Sequence, residues 1–367
     1  MNKILFISHA SSISGAPIIL LNLLRNLIKF KEFSFDSISL QSGPLDSEFE
    51  KLDGSTGHLA QPSRTSVKLW MKKFKSYDLI YANTVASLSA AIIWKKRSKC
   101  PLVLHIHEMQ NAIVQLVSTA GFFEIIKEVD QFIVVSKAVS RNLVERYKIP
   151  EEKITLVYES IPLPVRIDKK IEDIKFQQFV KDSFVIGGAG PICWRKGTDL
   201  FLLTAKKIKD NHLPYKFVWV GDDSGSQEFK QLQFDITNLG LGDTVFLTGT
   251  LRDPFSYYDR MNLFFLSSRE DPFPLVCLET GAMAKPVLCF EGSGGITELL
   301  EDNPSDIIPY GSITEAANKI QWYAENPTDT QMIGLNLQNK IVENFDIYKA
   351  AENINQLIFT LIGNSKI

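Results

Sequence analysis

The sequence predicts an α/β protein built from two Rossmann-like, doubly wound domains, and three observations point there. The chain has 367 residues, enough for two domains at roughly 100–200 residues each. Short Ile/Leu/Val-rich runs alternate with longer helical stretches, the rhythm of βαβ units feeding a parallel sheet, and the rhythm runs through twice. Between the two passes stands Glu159-Ser160-Ile161-Pro162-Leu163-Pro164, where two prolines lack backbone donors and bias their predecessors toward extended conformation, as a connection requires. The boundary is expected near Val165, giving a first domain of residues 1–165 and a second of residues 166–345.

Met1-Asn2-Lys3 leads into Ile4-Leu5-Phe6-Ile7, an apolar run too short for a signal peptide or a membrane span, so Lys3–Ser8 is read as a buried first strand. Strands are expected next at Ser37–Leu40, Asp78–Ala82, Leu102–Ile106, Asp130–Ser136 and Ile154–Tyr158, all apolar as strands covered on both faces are. Pro17–Phe30 and Ala138–Tyr147 read as helices between them. The second half restarts with Phe184–Ala189, Lys216–Gly221, Thr244–Thr248, Asn262–Ser267 and Pro286–Phe290, with a helix at Asp199–Lys207. Tyr348–Leu361 carries apolar residues at helical spacing, so a helix over about 346–367 is expected to close the first domain. No run of about eighteen apolar residues occurs, which limits any membrane contact to a peripheral one.

Hydrophobic residues make up 45% and charged residues 22% of the chain, which excludes disorder and fibrous repeats. The formal net charge of −2 argues against a protein that coats nucleic acid. That average hides an asymmetry: Met1 to Val165 holds 20 basic and 15 acidic residues, Arg166 to Ile367 holds 20 and 27. Cys100, Cys193, Cys277 and Cys289 are scattered, with no Cys-x-x-Cys pair, which suits a reducing, cytoplasmic setting. Ligands of doubly wound domains bind at the carboxyl ends of the strands, so the chemistry is expected in a cleft between the two sheets. A dehydrogenase, a sugar-nucleotide enzyme and a two-lobed binding protein all remain open at this point.

The most specific stretch is Ser267-Ser268-Arg269-Glu270-Asp271-Pro272-Phe273-Pro274-Leu275-Val276-Cys277-Leu278-Glu279. Asp271 falls at a strand-to-helix turn and Glu279 about two helical turns on, so both carboxylates can face a ligand at the sheet edge. A carboxylate accepts two hydroxyl hydrogen bonds, the geometry of a ribose or sugar diol. Here the chain resembles the retaining glycosyltransferases of family 4, of the GT-B fold, over nearly its whole length. The flanking Phe-x-Leu-Val, with Leu275 and Val276, and the later Lys285-Pro286-Val287 extend the likeness. The resemblance implies that Glu279 holds the ribose of a nucleotide and that Asp271 contacts hydroxyls of the donor sugar, a role neighbouring Glu270 can share. The family usually has Glu where this chain has Asp271.

Four further stretches join this constellation. Gly187-Gly188-Ala189-Gly190-Pro191-Ile192-Cys193-Trp194-Arg195-Lys196-Gly197 offers backbone N–H groups and two cations beside a helix N-terminus, a combination suited to a diphosphate. It resembles the family's phosphate loop, with Arg195 standing in for the Arg the family often places at the position of Pro191, and Gly190 and Lys196 beside it. Ser11-Ser12-Ile13-Ser14-Gly15-Ala16-Pro17 follows the first strand, where Ser14 suits a helix cap or an acceptor contact and Gly15 a close backbone approach. By the family's pattern this loop lies under the donor phosphates. His105-Ile106-His107-Glu108 ends a strand, and alternation puts both imidazoles on one face. The family has a His-Asp/Glu pair here, which implies a catalytic His107, with Glu108 orienting it or binding the acceptor hydroxyl. A two-histidine zinc site is the competing reading, with no third ligand in view. Glu291-Gly292-Ser293-Gly294-Gly295 is a turn whose helix start suits an oxygen ligand or a plain surface reversal.

No Asp-x-Asp triplet and no Gly-x-x-x-x-Gly-Lys-Ser/Thr occurs, so manganese ligation of the first kind and a P-loop kinase are not expected. The implied function is metal-independent glycosyl transfer with retention, without a resident cofactor, from a nucleotide-diphosphate sugar (UDP-sugar ahead of GDP- or dTDP-sugar). The acceptor is a saccharide, lipid-linked, in cell-surface polysaccharide assembly. A sugar-nucleotide epimerase of the same fold and a catalytically silent nucleotide-sugar-binding subunit are the alternatives. Arg64 to Lys99 contains nine Lys/Arg against Asp78 alone, with Val67, Trp70, Met71 and Phe74 at helical spacing among lysines. That pattern suits peripheral contact with an anionic cytoplasmic membrane face or an ordinary amphipathic helix. It does not suit nucleic acid, since no aromatic stacking platform accompanies the charge.

Overall fold

Ile4, Leu5, Phe6 and Ile7 are fully buried, because the strand that carries them, β1 (Asn2–Ser8), is paired on both edges and covered on both faces. The computed structural model describes the chain apart from residues 53, 54, 59–76, 166, 168–170, 223, 252 and 365–367. Its contacts divide it into two units, Met1–Pro162 with Phe345–Ile367, and Leu163–Asn344.

The first unit holds seven parallel strands: β1, β2 (Phe33–Ser39), β3 (Ser55–His58), β4 (Leu79–Asn83), β5 (Leu102–Ile106), β6 (Gln131–Val134) and β7 (Ile154–Leu156). Their order is β3-β2-β1-β4-β5-β6-β7, so the chain winds outward both ways from the β1/β4 junction. Register sets the carboxyl edge: Ser8 stands opposite Asn83, and Asn83 opposite His105. Helix Gly15–Phe30 buries Leu20, Leu23, Leu24 and Leu27, one face at helical period. Against that face packs helix Ile347–Asn364 through Ala351, Ile354 and Ile358. The return is stitched by Ile161 N–H donating to Phe345 C=O and Ile347 N–H donating to Ile161 C=O, both 3.0 Å.

The second unit holds six parallel strands: β8 (Val185–Ala189), β9 (Lys216–Val220), β10 (Val245–Leu247), β11 (Leu263–Leu266), β12 (Val287–Phe290) and β13 (Ile307–Ile308), in the order β10-β9-β8-β11-β12-β13. Its core is aromatic, with Phe201 edge-on to Phe217 and Trp219 and Phe265 edge-on to Phe290. Glycine in β8 is a packing requirement: a Cβ on Gly187 would sit 1.9 Å from the sulfur of Met261.

Two strands are absent from the sequence expectation. β3 is the polar edge Ser-Thr-Gly-His and β13 is two residues long, so neither produces an apolar run. Among the described residues no helix is long and apolar enough to cross a membrane. Of the basic stretch, 64–75 lies outside the described residues. Lys95 and Lys96 close helix Val85–Ser98 and are engaged by Asp130 (2.7 Å) and Glu128 (2.8 Å).

Candidate active site

In the second unit, the strands that diverge at the β8/β11 junction release their loops side by side. After β8 the chain turns at Gly190 (φ 124°) and forms a single 3-10 turn, Trp194–Lys196, before helix Thr198–Asp210. Gly190 sits beneath the Lys196 stem, where a Cβ would lie 2.9 Å from Cε. After β11, Ser267 Oγ donates to Lys196 C=O (3.1 Å), and Arg269 N–H donates to Arg195 C=O (2.8 Å). Arg269 also grips both Asp199 carboxylate oxygens (2.8 and 2.6 Å), a bidentate clamp between the two loops.

Lys196 and Asp271 meet inside this frame. Lys196 Nζ donates to Asp271 Oδ2 at 2.7 Å, Ser268 Oγ donates to the same oxygen at 3.2 Å, and Arg195 Nη1 stands 3.7 Å from Oδ1. Lys196 and Asp271 are 7% and 5% exposed, so this is a buried charged pair. Burial opposes ionisation of Asp271, but the charges of Lys196 and Arg195 and the hydrogen bonds from Lys196 and Ser268 outweigh it, holding the carboxyl below its usual range. Arg195 also donates to Glu270 C=O at 3.0 Å, so it is Glu270's backbone that Arg195 engages.

Helix Leu275–Ala282 follows, with Leu275 and Val276 half-buried in its first turn and Glu279 in its second. Glu279 has no hydrogen-bonding or ionic partner among the described residues. Desolvation pushes its carboxyl up to about 7. The buried thiol of Cys277 feels Asp271, Lys196 and Glu279 together, which groups the motif's charges around one helix start.

The turn at Glu291–Gly295 buttresses the acid rather than standing free. Asp271 N–H donates to Ser293 C=O (2.6 Å), and Gly295 N–H is shared by the carbonyls of Asp271 (3.2 Å) and Pro272 (3.1 Å). The reading of that turn as a plain surface reversal is thereby corrected. Gly294 holds φ 119° against the Asp271 backbone.

In the first unit the carboxyl edge of β4 and β5 and the chain past β7 gather five polar groups. His107 Nδ1 lies 2.7 Å from Glu159 Oε1 and Nε2 lies 3.0 Å from Asn83 Oδ1. His105 lies on the same face as His107, ring centroids 4.0 Å apart, with Nδ1 2.7 Å from the Tyr81 hydroxyl. Among the described residues no three His, Cys, Asp or Glu side chains group as metal ligands, so the two-histidine zinc reading finds no third ligand there.

Two expectations for this unit change. Glu108 does not orient the His107 ring: its two oxygens accept the backbone N–H groups of Val85 (3.1 Å) and His107 (3.0 Å), and the carboxyl, pushed up to about 7 by burial, starts helix Val85–Ser98. Ring orientation falls to Glu159 and Asn83. Nor does Ser14 cap helix Gly15–Phe30, because its hydroxyl pairs with that of Ser12 at 2.9 Å. Gly43, after β2, packs closely on this loop: a Cβ there would lie 2.4 Å from the Ser11 carbonyl oxygen.

In the sequence Glu159 stands only within the connection, and Asn83 just past the expected strand Asp78–Ala82. An acid three residues past the end of β7 and an amide ending β4 both occupy the edge where such folds bind ligands, and that position was the available signal.

Family models match the chain twice: "Glycosyltransferase Family 4" over residues 49–163 and "Glycosyl transferases group 1" over residues 169–345. The structure of HepE from Anabaena in complex with UDP and glucose superposes with a TM-score of 0.86 at 22% identity, covering 98% of this chain and all of that one. The capsular polysaccharide biosynthesis glycosyltransferase CapM of Staphylococcus aureus is 23% identical over 64% of this chain and 62% of its own length. The N-acetylgalactosamine-N,N'-diacetylbacillosaminyl-diphospho-undecaprenol 4-alpha-N-acetylgalactosaminyltransferase of Campylobacter jejuni is 25% identical over 58% of this chain and 53% of its own. The match thus spans less than two thirds of each of these two curated relatives. Two parallel doubly wound sheets, an acid pair eight positions apart on the β11 loop and helix, and two family matches that together run from residue 49 to 345 establish that the chain belongs to the group 1 glycosyltransferases of the GT-B fold.

Proposed function

We propose that this protein transfers a sugar from a nucleotide-diphosphate donor, UDP-sugar ahead of GDP- or dTDP-sugar, to a lipid-linked saccharide in cell-surface polysaccharide assembly, with retention and without a metal. The observation that carries the donor reading is Glu279, a half-buried carboxylate with no hydrogen-bonding or ionic partner among the described residues, on the helix that follows the Lys196–Asp271 pair. A group left this way gains most from a ligand that donates two hydroxyl protons, as a ribose does. The capsular relative, the UDP complex of HepE and the diphospho-undecaprenol in the Campylobacter enzyme's name support the pathway, donor and acceptor classes respectively.

The second unit takes the donor and the first the acceptor, with Ser14 and Glu108 on the acceptor side and Gly15 toward the donor phosphates. As the bond from the anomeric carbon to the diphosphate oxygen breaks, the electron pair passes to the diphosphate, and Lys196 and Arg195 oppose the developing charge. The acceptor hydroxyl attacks from the face the leaving group vacates, and its proton passes to the departing phosphate. Asp271, Glu270 and the first turn at Leu275 and Val276 hold the sugar and diphosphate, Gly190 lets the loop approach them, and His107 stabilises charge during transfer. The basic stretch within 64–99 docks the protein on an anionic cytoplasmic membrane face.

Calorimetric titration of UDP, GDP, ADP, dTDP and CMP in EDTA tests this. One diphosphate, UDP, is expected to bind, with Glu279→Ala weakening it at least about tenfold. No binding across the panel, or binding untouched by Glu279→Ala, removes the donor site from this place. Donor bound without turnover in the presence of acceptors points to a silent subunit, and a free isomer points to an epimerase. The pH dependence has a definite sign. Glu279 ionises near 7 and its carboxylate is the form that accepts hydroxyl protons, so UDP affinity is expected to rise about tenfold from pH 6 to 8 and to lose that slope in Glu279→Gln.

A further inference from the structure

The hydrogen bonds around His107 fix how many protons its network holds. Asn83 Nδ2 donates to Ala16 C=O at 3.0 Å, so its Oδ1 is the atom turned toward His107 Nε2, also at 3.0 Å. An amide oxygen only accepts, hence Nε2 carries a proton. On the other side, Nδ1 and Glu159 Oε1 are 2.7 Å apart, a contact that requires one further proton between them. Imidazole and carboxyl together therefore hold two protons, whichever atom of the Nδ1–Oε1 bond keeps the second.

Glu159 is an expensive way to anchor a chain. It is 5% exposed, and its second oxygen, Oε2, is buried without a hydrogen-bond partner among the described residues. A carboxyl with half its acceptors unmet costs more than a neutral residue of the same shape. The fold does not need it there, since Ile161 already stitches this segment to Phe345 and Ile347 through backbone bonds.

We propose that Glu159 is a positioning residue for His107: with Asn83 and Ala16 it locks the ring in one orientation and keeps a second proton in the pair. This rests on the role given to His107 above. The groups that face the pair reinforce the arrangement. From β5, the His105 ring lies 4.0 Å away and burial, then His107, lowers its proton affinity. After β1, His9 is lowered by burial and then by His107, and its Nδ1 lies 3.2 Å from the Thr84 hydroxyl. From β4, Tyr81 is raised far above its usual value by burial and then by Glu159, so it stays a neutral phenol. Glu108 is the one neighbour that titrates near 7.

The test reads the imidazole directly. Long-range proton–nitrogen NMR of the full-length protein at pH 7.5, with His107 assigned through His107→Gln, is expected to show Nε2 protonated and Nδ1 sharing a proton. In Glu159→Gln the Nδ1 signal is expected to move to the position of a bare ring nitrogen. UDP release from UDP-glucose in the presence of acceptor is expected to fall about hundredfold in kcat with KM for donor within twofold. Glu108→Gln serves as the control for the neighbour that titrates in the same range, and must leave the Nδ1 signal in place. A wild-type ring whose Nδ1 is already bare, or identical ring signals in wild type and Glu159→Gln, overturns the proposal, and the wild-type spectrum does so without any variant having to fold. If His107→Gln turns over donor at the wild-type rate while the ring signals behave as stated, it is the catalytic reading of His107 that fails.

Discussion

Lys196→Met is expected to lower donor turnover about a thousandfold and to destabilise the protein by about 3 kcal/mol, two losses with separate causes. The chemical loss follows from removing a preorganised cation aimed at developing phosphate charge, typically worth a factor of about 100–1,000. The stability loss follows from the partner left behind. Asp271 is buried, and Lys196 Nζ at 2.7 Å is the nearest charge that holds it ionised, with Arg195 a full ångström further at 3.7 Å. Breaking a buried pair from one side costs about 3–5 kcal/mol, whereas replacing both charges by neutral groups costs far less. The double variant Lys196→Met/Asp271→Asn should therefore regain most of the melting temperature and none of the turnover. Thermal unfolding of the wild type and the two variants beside a UDP-release assay checks both halves. A double variant as unstable as the single one rules out the unpaired carboxylate as the cause.

Gly294→Ala should be almost as damaging although residue 294 carries no functional group. Its φ of 119° is a conformation L-residues rarely adopt, and an added Cβ would lie 1.9 Å from the carbonyl oxygen of Asp271. Strain and overpacking each cost about 1–3 kcal/mol, so a loss of about 2–6 kcal/mol is expected. Because the Asp271 backbone must move away from Ser293 and Gly294, turnover should fall about hundredfold even where the protein remains folded. Gly292→Ala is the internal comparison. It also has positive φ, 69°, but nothing lies within 4 Å of its Cβ position, so it should lose about 1 kcal/mol and keep its turnover. Equal activity losses in the two variants would show that backbone strain, and not the contact with Asp271, is responsible.

These cases show where local sequence was sufficient. β1, β4, β5, β8, β11 and β12 were readable because parallel strands covered on both faces need unbroken apolar runs, and Ile4–Ile7 or Leu263–Leu266 supply them. Helix Gly15–Phe30 was readable from its leucine spacing, and Asp271 and Glu279 from an interval that one loop and one helix keep by themselves. Ser14 misled, because a serine before a helix normally caps it and here Ser12 takes its hydroxyl.

What composition, periodicity and spacing determined by themselves was the class of fold and the interval of the acid pair, and the resemblance to a family came from its motifs, all properties of neighbours along the chain. Tertiary structure decided the rest. Strand order brings β4 beside β5, and the chain past β7 back to the same edge, so that Asn83, His107 and Glu159 share a hydrogen-bond network although 24 and 52 residues separate His107 from its partners. It likewise sets Lys196 against Asp271 across 75 residues and gives Gly294 its task under the Asp271 backbone. Such contacts depend on which strands pair in the folded sheet, a choice made by the whole core at once and written in no local stretch of residues.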